Sequence, residues 1–269
     1  TSIESWGIKE IKDNPKLIDS VNKFIVKPIV GRGSSGVKIV EKLQLLSDIN
    51  DSKYVDETIV QEFREGLEYR VSALIQNGEL KLLAPVVRDS YHGTVFLGRL
   101  SYHEKHYERI EDYFMNFINQ CGVKNVIFKA DILVSEMNID MIEMDIGVGG
   151  GTYYKQYLSK LFNYDLNSEY INLILNEQVN KANRPTENII MDYVYNLSEK
   201  PVSVDLISLN NLLKPILGDH KIIKNLLSPE TSGKFHSNAD FIVTVIHKNM
   251  DITNFELNKV INEKLFNNG

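Results

Sequence analysis

The chain contains 269 residues, of which 43% are hydrophobic and 25% charged, and its formal net charge is −6. This composition predicts a folded globular protein with one substantial core or two to three small subdomains, and it excludes a compositionally disordered chain. The acidic balance argues against a nucleic-acid partner, and apolar runs shorter than the roughly twenty residues of a membrane helix, with no signal peptide, predict a cytoplasmic protein without membrane contact.

A glycine-rich loop between two strand-like runs, within residues 23–40, is the first strongly patterned segment. Its three glycines allow positive φ, so successive backbone N–H groups can point at one anion, and two serine hydroxyls add further donors. The segment therefore predicts a β-hairpin whose tip is a flexible flap that binds phosphate. The flap residues are Gly31, Gly33, Ser34, Ser35, Gly36 and Val37, and Lys27 lies on the strand before them.

Other glycine-rich loops bind nucleotides too, and the flanking residues distinguish them. A dinucleotide fold needs a helix after the glycines, whereas residues 37–40 are β-branched and indicate a strand. A protein kinase carries its lysine after the loop, but Lys27 precedes it, and neither His-Arg-Asp nor Asp-Phe-Gly occurs. A Walker loop would end in Gly-Lys-Ser/Thr, which is missing. From this segment alone, a glycine-rich turn without a ligand stays an open alternative.

The next part of the chain predicts two helices and three strands. Asn77-Gly78 lies between two hydrophobic runs and is a strong signal for a tight hairpin turn. Aromatic and aliphatic residues at helical spacing predict a helix over 107–119, which Gly122 closes. The earlier elements of this part are a helix over 41–49 and strands over 58–63, 68–75 and 80–85.

The last part of the chain predicts a second hairpin, three helices and one further strand. The single cysteine, Cys121, excludes an intrachain disulfide and a thiolate metal site. His103 and His106 have no further ligands near them in sequence, so we expect no metal site there. The predicted elements are strands over 126–134 and 140–146, helices over 158–162 and 169–176, a strand over 241–246 and a helix over 254–265.

Three carboxylates lie on the otherwise apolar strands of this second hairpin. Glu143 and Asp145 are two residues apart and therefore face the same side, and strand pairing can bring Asp131 opposite them. Burying three anions is costly unless a cation neutralises them, and hard oxygen ligands select Mg²⁺ or Mn²⁺, which substrate phosphates usually complete. The alternative is that these acids are solvated at strand ends or pair with lysine and arginine.

Four ordered motifs over residues 1–176 resemble the ATP-grasp superfamily, closest to carbamoyl-phosphate-synthetase-like and amino-acid-ligase-like members. The resemblance implies an α+β fold in which two subdomains with antiparallel sheets grip ATP. We expect a small subdomain with the flap over 1–62, a large subdomain with the metal site over 63–182, and a C-terminal α/β extension over 183–269. The motifs are Val26-Lys27-Pro28 with the flap, Val60-Gln-Glu-Phe-Arg-Glu-Gly66-Leu-Glu68, Phe128-Lys-Ala-Asp131, and Ile142-Glu143-Met-Asp145 with the glycines after it.

The resemblance also implies roles for single residues. Lys27 and the flap would contact the ATP phosphates, and Glu68 would hold the ribose. Asp131, Glu143 and Asp145 would bind one or two Mg²⁺ between the β- and γ-phosphates. The hinge beside adenine would comprise Gln61, Glu62, Phe63 and Arg64.

Family members transfer the γ-phosphoryl group to a carboxylate and make an acyl phosphate that an amine, or in some cases a thiol, then attacks. The resemblance thus implies a ligase acting on a small carboxylate and an amine acceptor. Two alternatives stay open, namely an ATP-binding module without ligase turnover and a small-molecule kinase on the same scaffold.

Three departures from the family pattern qualify this expectation. Asp145 stands where the family usually has asparagine, and it can still bind a metal ion. Gly147 stands where an arginine usually holds the acyl phosphate. Arg88 matches an arginine of related members on a neighbouring strand, so we predict that it faces the transferred phosphoryl group or the substrate carboxylate, with a surface arginine as the alternative. Thr1 falls inside the family pattern, so we expect a further N-terminal domain to come from the same or another polypeptide, unless this member works without one.

Overall fold

The computed structural model describes residues 3–31, 33–54, 57–91, 94–147, 152–198, 202–225 and 240–266. Within these residues the strands form one four-stranded sheet and one eight-stranded sheet. Every described strand pairing is antiparallel, and helices cover the sheets, which confirms the predicted α+β class.

The smaller sheet contains the predicted flap hairpin. Its strand order is β1-β4-β2-β3, and Val26 of β2 pairs with Lys38 of β3 at the base of the flap. Phe24, Leu45 and Val60 are buried between this sheet and its two helices, because alternate strand residues and one helix face are apolar. The elements are β1 (Ser5–Gly7), α1 (Ile8–Asp13), β2 (Lys23–Pro28), β3 (Lys38–Glu41), α2 (Lys42–Asn50) and β4 (Thr58–Glu62).

The larger sheet has the strand order β11-β12-β10-β7-β6-β5-β8-β9. Asn77 and Gly78 both adopt positive φ, of 56° and 78°, which is the geometry of the tight turn predicted between β5 and β6. The strands are β5 (Leu67–Gln76), β6 (Glu79–Ser90), β7 (Leu97–Tyr102), β8 (Val126–Val134), β9 (Ile139–Ile146), β10 (Ile190–Val194), β11 (His220–Lys224) and β12 (Val243–His247).

Five of the described helices begin and end near the predicted positions, whereas the helix at Leu206–Leu217 was not predicted. In α3 (Tyr107–Cys121), Ile110, Phe114 and Ile118 bury one face at four-residue spacing, and Gly122 ends the helix at a φ of 62°. None of the described helices combines the length and apolar character that a membrane span requires. The remaining helices are α4 (Ser159–Phe162), α5 (Leu166–Ile174), α6 (Leu206–Leu217) and α7 (Asn254–Ile261), with π-helical turns at Thr152–Leu158 and Asn262–Phe266.

The C-terminal strands extend the larger sheet rather than building a sheet of their own. β10 pairs with β7 on one side and with β12 on the other. The predicted extension over 183–269 therefore shares one sheet with the predicted subdomain over 63–182. A buried charge cluster fixes this junction, because Arg99 on β7 and His247 on β12 both bond the carboxylate of Asp192 on β10.

Candidate functional site

A row of charged side chains crosses the larger sheet at β5, β8 and β9. Asp131 lies directly opposite Glu143, as the hairpin prediction required, and Lys129 lies opposite Asp145. On the other side of β8, Asp131 is opposite Arg70 of β5. Directly opposed residues on neighbouring antiparallel strands share a face, so the pairing of these strands together with side-chain alternation brings the five side chains to one face.

Arg70 holds Asp131 in a two-point ion pair. Nε of Arg70 donates to Oδ1 of Asp131 at 2.9 Å, and Nη2 donates to Oδ2 at 2.8 Å. Burial opposes ionisation of Asp131, but the hydrogen bonds and charge of Arg70 outweigh burial and keep the pKa of Asp131 below its usual range. Both oxygens of Asp131 are thus engaged by protein.

Glu143 and Asp145 present their carboxylates toward solvent, with side chains 56% and 69% exposed. Nζ of Lys129 lies 3.0 Å from Asp145 and 3.9 Å from Glu143, so an ammonium sits between the two. Partial burial, and then the neighbouring Asp131 carboxylate, raise the pKa of Glu143. The row contains three carboxylates, Asp131, Glu143 and Asp145, against the two cations Arg70 and Lys129, and this net negative charge favours binding of a cation.

The donor set fits Mg²⁺ only if the substrate completes it. Across the described residues, no three histidine, cysteine, aspartate or glutamate side chains form a ready-made metal site. Mg²⁺ is usually held by one or two carboxylates together with substrate phosphates and water. Glu143 and Asp145 meet that requirement, whereas both oxygens of Asp131 already accept hydrogen bonds from Arg70.

The smaller sheet faces this row through Lys27. Burial lowers the pKa of Lys27, and the carboxylate of Glu143 acts in the opposite direction, so the two side chains are electrostatic neighbours. Lys27 is on β2 of the smaller sheet and Glu143 is on β9 of the larger one. Two hydrogen bonds join the same two parts of the molecule, one from Arg64 to Asp140 on β9 and one from Arg88 on β6 to Ser34 of the flap.

The flap also reaches the larger sheet, through Ser34. Nη2 of Arg88 on β6 donates to Oγ of Ser34 at 3.4 Å and to the carbonyl oxygen of Val95 at 3.5 Å. Nη1 of Arg88 donates to Oε1 of Glu68 at 2.6 Å. Arg88 is only 9% exposed, and its Nε is buried without a hydrogen-bond partner in the described part of the chain. Arg88 is therefore an interior residue and not a surface arginine.

The flap backbone turns as its glycines predict. Gly33, Ser34 and Gly36 adopt positive φ, of 62°, 60° and 75°. Ser34 is the exception to the glycine pattern, since L side chains rarely adopt this conformation. Arg32, the tip residue, lies outside the described residues. Gly31 precedes this turn, Ser35 lies within it, and Val37 closes it by donating its N–H to the carbonyl of Ser34 at 3.2 Å.

The segment predicted as the hinge runs from β4 to β5 and connects the two sheets. Nη1 of Arg64 donates to Asp140 on β9 at 2.8 Å, and its Nε donates to Glu62 at 2.9 Å. Phe63 donates its N–H to the carbonyl of Lys23 at 2.9 Å. Gln61 turns the other way and donates to Oγ of Ser5 at 2.8 Å.

Close packing explains the glycine at the end of this segment. A Cβ on Gly66 would lie 2.8 Å from the carbonyl oxygen of Val134, a distance that real Cβ atoms essentially never show. Only glycine lets β5 start this near β8.

Three residues of the site were not predicted from the sequence. Arg70 and Lys129 each lie two positions from a predicted residue on the same strand, so strand alternation could have found them. Tyr153 lies under the guanidinium of Arg70, 5.8 Å from its ring centroid, and no local sequence signal marks it. The predicted glycine cluster lies outside the described residues except for Gly147, whose φ is 112°.

These two facing sheets and their motifs define the class of the protein. The chain belongs to the ATP-grasp family, because residues 9–144, just over half of the chain, match the ATP-grasp domain. Among curated protein sequences, none matches the chain.

Solved structures with the same fold include three of known activity. The L-amino acid ligase from Bacillus licheniformis is 12% identical over 93% of this chain and 63% of its own, with a TM-score of 0.66. The N5-carboxyaminoimidazole synthase from Aspergillus clavatus, in complex with ADP and 5-aminoimidazole ribonucleotide, is 10% identical over 97% and 67%, with a TM-score of 0.66. The phosphoribosylglycinamide synthetase from Anaerococcus prevotii is 14% identical over 97% and 68%, with a TM-score of 0.57.

Each of these proteins is longer than this chain, which spans about two thirds of their length. At such low identity the likeness shows a shared fold and leaves the reaction to be argued from the site.

Proposed function

We propose that this protein is a Mg-ATP-dependent ligase that activates a small carboxylate as an acyl phosphate and transfers it to an amine or a thiol. The observation that carries the proposal is that side chains of the smaller sheet and its flap lie close to a buried arginine and a carboxylate pair of the larger sheet. Lys27 and the flap residue Ser34 of the smaller sheet meet Arg88 and the Asp131–Glu143 pair of the larger sheet. The three structures compared above are a synthetase, a ligase and a synthase, which supports this class.

ATP would lie between the sheets, with its phosphates under the flap. Lys27 would neutralise the phosphates, while the N–H groups of residues 31–37 would donate to them. The oxygen of Glu68 that Arg88 leaves unused can accept hydrogen bonds from the ribose hydroxyls. Gln61, Glu62, Phe63 and Arg64 would line the adenine side of the cleft, at the connection between the sheets.

Glu143 and Asp145 would hold Mg²⁺, with Asp131 behind them. When bound, this cation would neutralise the β- and γ-phosphates as the phosphoryl group moves. Lys129 balances the charge of these two carboxylates, so its ammonium would have to move away from them when the cation binds.

Arg88 would hold the transferred phosphoryl group or the attacking carboxylate. Its interior position and its pairing with Glu68 fix the guanidinium before substrate binds, and such preorganisation favours transition-state charge over ground-state charge. Closure of the flap on Arg88 would also exclude water, which would otherwise hydrolyse an acyl phosphate.

The proposal is tested by trapping the intermediate. The protein is incubated with Mg-ATP, a panel of amino acids and other small carboxylates, and hydroxylamine, which converts acyl phosphates to hydroxamates. We expect ADP and hydroxamate in equal amounts with at least one carboxylate, and neither product with Glu143→Ala. Failure of every carboxylate to elicit ADP release would contradict ligase activity.

One observation favours a second candidate function, a nucleotide-binding module without turnover. Gly147 stands where the family usually has an arginine. Lys129 already balances the charge of the carboxylates of the proposed metal site. Binding of Mg-ATP without release of ADP would support this candidate. ADP release with a stable phosphorylated product and no hydroxamate would instead identify a small-molecule kinase.

A further inference from the structure

Arg70 is a second interior guanidinium in the site, and only one edge of it is used. Its Nε and Nη2 atoms face the two oxygens of Asp131. Its Nη1 makes no hydrogen bond within the described residues, and the side chain is 16% exposed. A guanidinium has five N–H donors on two edges, so a second planar or tetrahedral oxyanion can bind to the outer edge.

The guanidinium is held rigidly. Asp131 fixes it from one side, and the ring of Tyr153 lies 5.8 Å beneath it. The hydroxyl of Tyr153 is itself 3.3 Å from Oγ of Ser72, on the same strand as Arg70. A donor group held by an ion pair and a buried ring loses little conformational entropy when an anion binds.

Arg88 lies on the same face of the sheet as Arg70. Nη1 of Arg88 donates to Glu68, and Glu68 is two residues before Arg70 on β5, so the two side chains of β5 point to the same side. The two arginines are on neighbouring strands, β5 and β6, and Arg88 contacts the flap through Ser34. Cationic donors therefore lie on the β5–β6 side of the site, whereas Gly147 offers none at the end of β9.

We infer that the outer edge of Arg70, together with Arg88, forms the subsite for the anionic part of the acceptor, namely the substrate carboxylate and the phosphoryl group transferred to it. This assignment rests on the proposed function and adds a residue to it. Arg70 thereby supplies the cationic donor that Gly147 cannot supply. The substrate class is a carboxylate whose acyl phosphate is held by two guanidinium groups.

The test uses inorganic phosphate and acetate as probes of the subsite. The melting temperature of the protein is measured with Mg-ADP alone, and then with Mg-ADP and increasing phosphate or acetate. Arg70→Lys keeps a positive charge beside Asp131 but lacks the second edge. Arg109→Lys is the matched control, because Arg109 is on α3 and donates to the carbonyl of Ser135.

We expect Mg-ADP to raise the melting temperature of all three proteins and phosphate to raise it further in the wild type and in Arg109→Lys. In Arg70→Lys the phosphate titration should move to about tenfold higher concentration, since one charge-assisted hydrogen-bond pair is lost. An acetate response with the same dependence on Arg70 assigns the carboxylate to the same edge. Equal phosphate titrations in the wild type and Arg70→Lys would overturn the inference while leaving the proposed function intact.

A second variant covers the case in which Arg70→Lys does not fold. Arg70→Gln removes the whole guanidinium, while its amide can still donate one hydrogen bond to Asp131. This variant should keep the response to Mg-ADP and lose the further response to phosphate, and a retained phosphate response would overturn the inference. If Mg-ADP itself has no effect on the wild type, the proposed function fails and the inference fails with it.

Discussion

The larger sheet contains two arginine–aspartate pairs of nearly the same geometry, and they differ in what surrounds them. Arg70 donates two hydrogen bonds to Asp131, at 2.9 and 2.8 Å, and Arg99 donates two to Asp192, both at 2.8 Å. Asp192 also accepts a hydrogen bond from His247 at 2.8 Å and one from Asn254 at 2.9 Å. Its side chain is fully buried.

The two pairs therefore have different consequences. Arg99 donates a third hydrogen bond, at 2.7 Å, to the carbonyl of Ile252, so the network around Asp192 is closed by protein. Around Asp131 the outer edge of Arg70 stays unused, and Glu143 opposite it is half exposed. A closed network joins β7, β10 and β12, whereas an open one is available to a ligand. The second N–H of Nη2, which bonds protein in Arg99 and is unused in Arg70 among the described residues, distinguishes the two pairs, and we propose that the pair with the unused donor binds the ligand.

The largest expected effect tests the closed network. Asp192→Asn leaves the buried Arg99 without a charged partner and removes an acceptor from His247, so we expect a loss of about 3–5 kcal/mol in the free energy of unfolding. Urea denaturation followed by circular dichroism measures this loss. A loss below about 1 kcal/mol would contradict the structural role of the pair.

Asp131→Asn should cost less stability, about 1–3 kcal/mol, because Arg70 is partly exposed and keeps one acceptor. The same denaturation experiment compares the two variants directly. If Asp131→Asn proved more destabilising than Asp192→Asn, the distinction between an open and a closed pair would be wrong.

The pH dependence of stability sharpens the comparison further. Burial opposes ionisation of Asp192, but His247 and Arg99 outweigh it and hold the pKa of Asp192 below its ordinary value of 3.8. A lowered pKa in the folded state contributes stability that is complete above 3.8 and is lost as the pH falls through the folded-state value. The difference in urea midpoint between the wild type and Asp192→Asn should thus narrow below pH 3.8. A difference that stayed constant from neutral pH into this range would argue against an ionised Asp192.

The smallest expected effect concerns the flap. Ser34→Gly relieves a positive φ but loses a long hydrogen bond to Arg88, so we expect a change of at most about 1 kcal/mol in stability. The matched variant Ser35→Gly lacks both features and serves as the control. A loss of several kcal/mol in Ser34→Gly would mean that the flap is a structural part of the larger sheet.

The sequence was sufficient to predict those elements that have local signals. Asn77-Gly78 marks the β5–β6 turn, Gly122 ends α3, and residues two apart on β9 share a face. β10 was missed because all five of its residues are buried, so Ile190–Val194 shows no alternation of apolar and polar residues.

Long-range pairing limited the prediction of the site. Asp131 opposite Glu143 follows from one hairpin, but Arg70 is 61 residues from Asp131 and Arg99 is 93 residues from Asp192. Which arginine meets which aspartate depends on the order of strands in the sheet, and no local pattern encodes that order. The roles of the flap and hinge residues toward ATP remain predictions that binding experiments test.

The most direct test of the central claim is the melting temperature of the wild type and of Glu143→Ala with Mg-ATP, in excess Mg²⁺ and in excess EDTA. Ligand at about a hundred times its dissociation constant adds roughly 2.7 kcal/mol of stability, which corresponds to several degrees for a chain of this size. We predict a shift that requires Mg²⁺ and is lost in Glu143→Ala. A shift that is equal in EDTA and in the variant, or no shift in the wild type, would contradict a Mg-ATP site between the two sheets.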